Sequence, residues 1–260
     1  MHTLQKQHNE LFNLSHQNAG SKNEGYFARN KPHYDKIAET HHAMVSFYDL
    51  FARRYVYLHD DYASLLYDDN RPPEDEIDCN ALYQRVHPDD AEMLYRAEMM
   101  AFKQYDSICT TYRNSFSLIM TLRMRNHVGG YCRVLRRISS FMPGRNDAIW
   151  LVMISVEMLE TTAERNDGAP KLYNAQNGLI YDLTKEGSLR EYRLGLSAVE
   201  LKVLKLRGMG YSSKEVAAKL FLSEHTIATH RRNICDQFQS NDIKAIYKIV
   251  KALGGFVKRE

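Results

Sequence analysis

No stretch of this chain approaches the roughly 18 consecutive apolar residues that suggest a membrane span, and Met1 to Asn30 is polar where a secretory leader needs an apolar centre. The sequence therefore predicts a cytoplasmic protein. Cysteine is scarce, with four in 260 residues. They stand at Cys79, Cys109, Cys132 and Cys235 without a CxxC pair, which excludes a local zinc ribbon or dithiol redox motif and predicts buried free thiols. Eleven histidines include His41-His42, but helical neighbours point apart and no HExxH accompanies them, so no metal is expected. Also missing are a phosphoacceptor Asp with its acidic cluster and partner Lys, a nucleotide-binding glycine loop, and a paired nucleophile and base. Neither phosphorylation control nor enzyme activity is expected.

Net charge is low, at +3, and would not by itself suggest nucleic acid. Its distribution does. Residues 195–260 hold twelve Lys and Arg against six Asp and Glu, a balance of +6, so the first 194 residues carry −3. A basic end on a mildly acidic body is expected where one domain meets phosphate and the other does not.

The chain divides into four parts. Residues 1–44 form a polar leader in which Leu4, Leu11, Phe12 and Leu14 suit one amphipathic helix, Gly20 to Gly25 breaks it, and a second helix covers Lys36 to Met44. This leader caps a domain, pairs subunits, or is only partly ordered. Residues 45–159 mix helix and strand. Ser46 to Leu58 reads as two short strands and Asp60 to Tyr67 as a helix. A polar linker follows Arg71-Pro72-Pro73. Then Val86-His87-Pro88-Asp89-Asp90 introduces a helix through Tyr105. Three strands close the unit, at Phe116–Arg125, Tyr131–Phe141 and Ala148–Leu159, the last with Trp150, Val152, Ile154 and Val156 on one face. Residues 160–194 read as a linker with a small hairpin at Leu179 to Leu183 and Leu189 to Tyr192.

This order of elements, with His87-Pro88-Asp89-Asp90 ahead of a helix and three long strands, resembles a PAS domain. Pro88 suits a helix's first turn, and Asp89 and Asp90 favour the positive end of its dipole. The resemblance implies a sensory or dimerisation module with an unknown small-molecule ligand. No cofactor is predicted. No cysteine sits in a flavin-photosensor context, and His59 and His87 suit turn or capping chemistry better than haem ligation.

In residues 195–260, Ser197 and Glu200 have the spacing of a capping box. Val203, Leu204 and Leu206 then supply a buried stripe, and Gly208-Met209-Gly210 ends the helix. A second helix follows from Ser213 to Leu220, with Val216, Ala217 and Leu220 inward, and Ser223 caps a third. The motifs Leu196-Ser197-x-x-Glu200, Gly210-Tyr211-Ser212, Lys214-Glu215-Val216-Ala217, Leu222-Ser223 and Thr226-Ile227-x-Thr229-His230-x-x-Asn233-Ile234 resemble the LuxR-type helix-turn-helix, or GerE domain. That resemblance implies four helices. The third enters a major groove and the fourth commonly forms a dimer seam.

It further implies that Lys214 and Thr226 hold phosphates, that Ala228, Thr229 and Arg232 face base edges, and that His230 and Arg231 lie near the backbone. The chemistry agrees, because Lys is a point charge, Thr a short donor, and Arg a fork matched to guanine. There are departures: Ala228 offers only a methyl, Asp236 and Gln237 replace basic positions, and Gln239 stands where glycine is usual. In the last helix, Ile243, Ile246, Tyr247 and Val250 belong to an apolar surplus that fits either a subunit seam or a contact with the front domain.

The expected fold class is thus α+β, a PAS-like antiparallel sheet domain with helices followed by a small all-α helix-turn-helix domain. The expected function is sequence-specific regulation of transcription by a homodimer on double-stranded DNA, with RNA polymerase as a further partner. The front domain would sense a small molecule or protein. In the alternative it is a ligand-free interaction module in a signal-relay protein.

Overall fold

A computed structural model of the chain describes residues 24–41, 44–50, 52–59, 61, 64–65, 80–107, 115–126, 129–143, 149–160, 170–174, 179–183, 189–193, 195–238, 240–253 and 255–256. The helix expected over Leu4 to Leu14 and the Cys79 and Cys109 thiols lie outside them, as does most of the helix expected over Asp60 to Tyr67. The first helix among the described residues, α1, spans Glu24–His41. It thus begins inside the segment expected to break the preceding helix, well ahead of Lys36, and ends short of Met44, which opens strand β1 (Met44–Asp49). Then come β2 (Arg54–Leu58), the short α2 (Asn80–Arg85) within the expected linker, and α3 (Pro88–Ser107).

Strands β3 (Phe116–Arg125), β4 (Tyr131–Pro143) and β5 (Ile149–Glu160) follow, close to where the period-two pattern placed them. Asn126 closes the β3–β4 turn by accepting the Gly130 N–H on Oδ1 at 2.9 Å. Gly129 lies at φ 85, a left-handed turn position that favours glycine. The five strands run β2-β1-β5-β4-β3, all antiparallel, which is the PAS-like arrangement.

The sheet does not stop there. β6 (Lys171–Asn174), β7 (Leu179–Leu183) and β8 (Leu189–Arg193) extend it to eight strands, with β6 paired to β3 from Phe116↔Asn174 to Ile119↔Lys171. Residues read as a linker with a hairpin are therefore sheet. Four residues are too few to display a two-residue period, which is why β6 escaped notice.

The two faces of the sheet do different work. Phe116, Leu118, Met120, Leu122 and Met124 of β3 and Cys132 and Val134 of β4 join α2 and α3 in the main core. On the opposite face, Tyr34 and Ala38 of α1 pack on Val45, Phe47, Tyr57 and Leu151. Trp150 belongs to that opposite cluster rather than with Val152, Ile154 and Val156. The β4–β5 register slips around Ser140 and Met142, and such irregularities redirect side chains. The Trp150 indole N–H donates to Asp49 at 3.0 Å.

Beyond Ile119 the edge of β3 is not paired to β6, and the His87-Pro88-Asp89-Asp90 segment covers it. The His87 N–H donates to the Arg123 carbonyl at 2.9 Å, and the Arg123 N–H donates to the Asp90 carboxylate at 2.8 Å. The guanidinium of Arg123 grips the same carboxylate through Nη2 at 2.7 Å and Nε at 3.2 Å. Asp90 therefore does more than complement the helix dipole. His87 caps the helix, its Nδ1 accepting the Asp89 N–H at 3.2 Å. A second buried pair joins Arg136 of β4 to Glu98 of α3 at 2.6 Å, with the Tyr83 hydroxyl donating to Glu98 at 2.7 Å.

The C-terminal part is helical: α4 (Ala198–Gly208), α5 (Ser213–Leu220), α6 (Glu224–Phe238) and α7 (Ile243–Ala252). Its core contains Val203, Leu204, Val216, Ala217, Ile227, Ile234, Ile243, Ile246 and Val250. Gly208 is helical rather than a left-handed cap, and its role is close approach. A Cβ there would stand 2.1 Å from the Tyr247 ring, whereas the left-handed position is Gly210 at φ 97. Gly208→Ala should destabilise this domain by about 1–3 kcal/mol through overpacking despite Ala's better helix propensity, as read by urea unfolding followed at the helical signal. An unchanged midpoint would refute the packing.

Candidate nucleic-acid interface

Hydroxyls set the starts of three consecutive helices in the C-terminal domain. At α4, Glu200 N–H donates to Ser197 Oγ at 3.2 Å, while the Ser197 N–H donates to Glu200 Oε2 at 2.8 Å. At α5 the same box recurs, which the sequence reading missed although Ser212 and Glu215 have the same spacing. Ser212 N–H donates to Glu215 Oε2 at 2.7 Å, and Glu215 N–H to Ser212 Oγ at 3.3 Å. Ser223 opens α6 by accepting the Thr226 N–H at 3.0 Å. Phe221, in the turn between α5 and α6, adopts a left-handed φ of 56.

Helix α6 buries Ile227, Ile234 and Cys235 and turns Ala228, Arg231 and Arg232 to solvent, with Thr229 half-buried. Residues three, four or seven apart share a helix face. His225, Ala228, Thr229, Arg232 and Asp236 therefore form one stripe. His225 is exposed and was overlooked as a candidate, although its place three residues before Ala228 was readable. Thr229 donates its hydroxyl to the His225 carbonyl at 3.2 Å, leaving its methyl and lone pairs for a partner. Thr226 shares a hydrogen with Ser223 Oγ at 2.8 Å, so one hydroxyl hydrogen of the pair remains for phosphate. Lys214 is exposed in the first turn of α5.

His230 is the side chain expected near a DNA backbone. It is half-buried, and its Nδ1 is enclosed without a hydrogen-bond partner. Its neighbour across the domain is Glu200. Burial alone would raise the Glu200 carboxyl. Hydrogen bonds from the Ser197 N–H and hydroxyl and from Asn233, with the His230 charge, outweigh it and hold the group below the usual carboxylate range. Glu200 thus ties the start of α4 to the inner side of α6.

The four residues singled out for a dimer seam lie elsewhere than on a free surface. Ile246 and Val250 are 0 % exposed and Ile243 is 9 %. Tyr247 covers Gly208 and packs at a tilt against Phe256, ring centroids 5.3 Å apart. The domain's own core takes them up. Ile249 of α7 and Leu253, which caps its end, pack on the sheet through Ile119, Leu135, Tyr173 and Ile180. That is the second of the two uses left open for this helix.

With this geometry, residues 194–250 match the family described as bacterial regulatory proteins, luxR family. They form a LuxR-type helix-turn-helix domain. No curated protein matches the chain. Among solved structures, the chain is similar to a sensory box histidine kinase/response regulator from Burkholderia thailandensis, at 13% identity and a TM-score of 0.36 over 49% of this chain and 84% of that one. It is also similar to the Vibrio cholerae VqmA dimer, a LuxR-type receptor, at 13% identity and a TM-score of 0.30 over 85% of this chain and 88% of that one. A phage VqmA–DPO complex aligns at 12% identity and a TM-score of 0.29 over 90% and 93%.

Among the described residues there is no group of three or more His, Cys, Asp or Glu that could hold a metal, and no helix long and apolar enough to cross a membrane. Cys132 and Cys235 are buried free thiols, both raised by burial. The LuxR-type domain should weaken on acidification. A carboxyl held low in the folded state stabilises fully above its ordinary range, and that stability is lost as pH falls through the lowered value. Glu200→Gln keeps an acceptor for Ser197 without the charge, so its melting temperature should fall less than the native protein's between about pH 7 and about pH 3. Parallel falls would show that Glu200 titration does not carry the effect.

Proposed function

We propose that this protein is a sequence-specific, DNA-binding regulator of transcription, with α6 of the LuxR-type domain as its reading helix. The supporting observation is the stripe of exposed His225, Ala228 and Arg232 with half-buried Thr229 on a helix whose other side is locked into the domain core. Arg232 is suited to the paired acceptors of guanine and Ala228 to a thymine methyl. Thr229 offers its methyl and lone pairs. Lys214, Thr226 and Arg231 are suited to phosphates, which position the domain without reading sequence. Asp236 ends the same stripe and would repel a nearby phosphate, so a single copy binds modestly and a pair on inverted half-sites binds well. RNA polymerase is the partner through which such a regulator would act.

The front domain is proposed to receive the signal. Between α3 and the sheet, Ala101, Phe102, Tyr105, Phe116, Leu118, Ile138 and Leu172 line an apolar cavity of about 40 Å³. Room on that scale is a few waters at most, so a ligand seated there would be small or would displace side chains. A purely protein-binding front domain remains the second reading, favoured by how nearly full this cavity is.

Binding to a mixed-sequence duplex should fall steeply with salt as phosphate-bound counterions are restored. Arg232→Ala should cost about 1–3 kcal/mol on a duplex selected from a random library, and less on random sequence. Equal losses on both would remove Arg232 from base reading. Asp236→Asn should tighten binding to both duplexes, measured by fluorescence anisotropy, and unchanged affinity would place Asp236 away from phosphate.

A further inference from the structure

The outer face of the sheet carries two helices, and between their footprints lies a strip of polar side chains. Alternate residues of β4 face outward. Arg133 pairs with Asp242 at the start of α7, and Leu135 shares a cluster with Ile249. Phe141, at the other end, packs with Tyr34 of α1 and Phe47. Arg137 and Ser139 stand between the two footprints. Along β5 the order is the same: Leu151 and Met153 belong to the α1 cluster, Glu157 pairs with Lys248 of α7 at 2.9 Å, and Ser155 is left between them. Register brings these residues side by side, because Ser155 lies opposite Arg137, and Ser117 of β3 lies opposite Ser139.

Arg137 differs from the other arginines that β3 and β4 bury. Arg123 meets Asp90, Arg136 meets Glu98 and Arg133 meets Asp242, so each of those guanidinium groups is answered by a carboxylate. Arg137 is half-buried, and no carboxylate among the described residues is paired with it. Its Nε and Nη2 donate to Ser117 Oγ at 3.2 and 3.1 Å. Burial lowers its pKa from the ordinary arginine value, with Tyr173 acting the other way. Ser117 and Ser139 share a hydrogen across 2.8 Å. Since Ser117 already accepts from the guanidinium, it is the donor of that pair, which leaves the Ser139 hydroxyl hydrogen unused. Also unused are the two Nη1 hydrogens, the second Nη2 hydrogen and the Ser155 hydroxyl.

We propose that this strip binds a phosphate group. A guanidinium fork with hydroxyl donors from two adjoining strands matches the several oxygens of a tetrahedral phosphate, whereas a carboxylate would be served by the guanidinium alone. The anion gives Arg137 the counter-charge that Arg123, Arg133 and Arg136 already have, and so offsets the cost of its partial burial. Glu157, two residues from Ser155 on the same face, is neutralised by Lys248. The cavity on the other face of the sheet is apolar and suits an uncharged ligand, so the two sites differ in chemistry as well as in place. Phosphate binding here does not depend on the DNA-binding reading above.

Arginine Nε–H NMR signals of the full chain, followed while inorganic phosphate replaces chloride at constant ionic strength, test the site. The Arg137 signal, identified by its loss in Arg137→Gln, should shift saturably with half-saturation at or below about 5 mM. The Arg123 and Arg136 signals, held by their carboxylates, should stay in place. Phosphate gathered by Lys214 or Arg231 in the helical domain would not move Arg137. Ser155→Ala removes one donor to the anion and keeps the guanidinium, so half-saturation should rise at least about three-fold. Acetate should need at least about ten times the phosphate concentration for the same shift. Methyl phosphate separates the sources: tighter binding than inorganic phosphate supports an esterified ligand, and the reverse order supports the free ion. A drift that never saturates and is shared by the exposed arginines, or a Ser155→Ala variant that binds as the native chain does, overturns the site. Acetate binding as tightly as phosphate overturns the assignment to phosphate.

Discussion

The alternation of side chains along β3, β4 and β6 is the constraint on which the rest of the molecule depends. One set of positions builds the core with α2 and α3, and the intervening set carries the LuxR-type domain. Because the period is two, a one-residue slip of β3 would bury Ser117, Ile119 and Thr121 in the core and turn Leu118, Met120 and Leu122 toward α7. The register from Ser117↔Ser139 to Arg125↔Tyr131 therefore fixes the core and the seat of the DNA-binding domain together. The strands after the PAS-like five belong to the same design. By covering the first half of β3's edge, β6 completes the platform on which α7 rests.

Ionic groups join the layers where apolar packing cannot specify alignment. Asp90 satisfies a β3 backbone donor and the Arg123 guanidinium together, fixing the start of α3 against the part of the β3 edge that β6 does not cover. Glu98 serves Arg136 and Tyr83 at the middle of the same helix. Removing one partner of such a buried pair is costly because the other charge is stranded, which makes these contacts alignment devices more than sources of net stability. In the LuxR-type domain, Glu200 has a comparable place, linking the cap of α4 to α6.

Much of this was legible in the residues. The long strands β3, β4 and β5 showed a clear period of two, and the LuxR-type helices announced themselves through Ser197, Ser223 and their spaced apolar partners. What stayed hidden depended on tertiary context. Strand β6 is too short to show a period, and α2 lies in a polar stretch with only Ala81 and Leu82 buried. Trp150 changed faces because of a register slip that no local pattern records. The apolar surplus of α7 was visible, but its partner was not. Only the folded chain reveals that Ile243, Ile246 and Val250 serve the domain's own core while Ile249 and Leu253 serve the sheet. His225 is a different case, since helical spacing alone placed it beside Ala228 and Arg232.

Helix α6 is proposed to present one solvent-facing stripe to a duplex. Backbone amide NMR shifts of the full chain, followed while a library-selected duplex is added, test it most directly. The largest changes are expected from Thr226 to Arg232 and at Lys214. Changes concentrated on the sheet, with α6 silent at saturation, would contradict it.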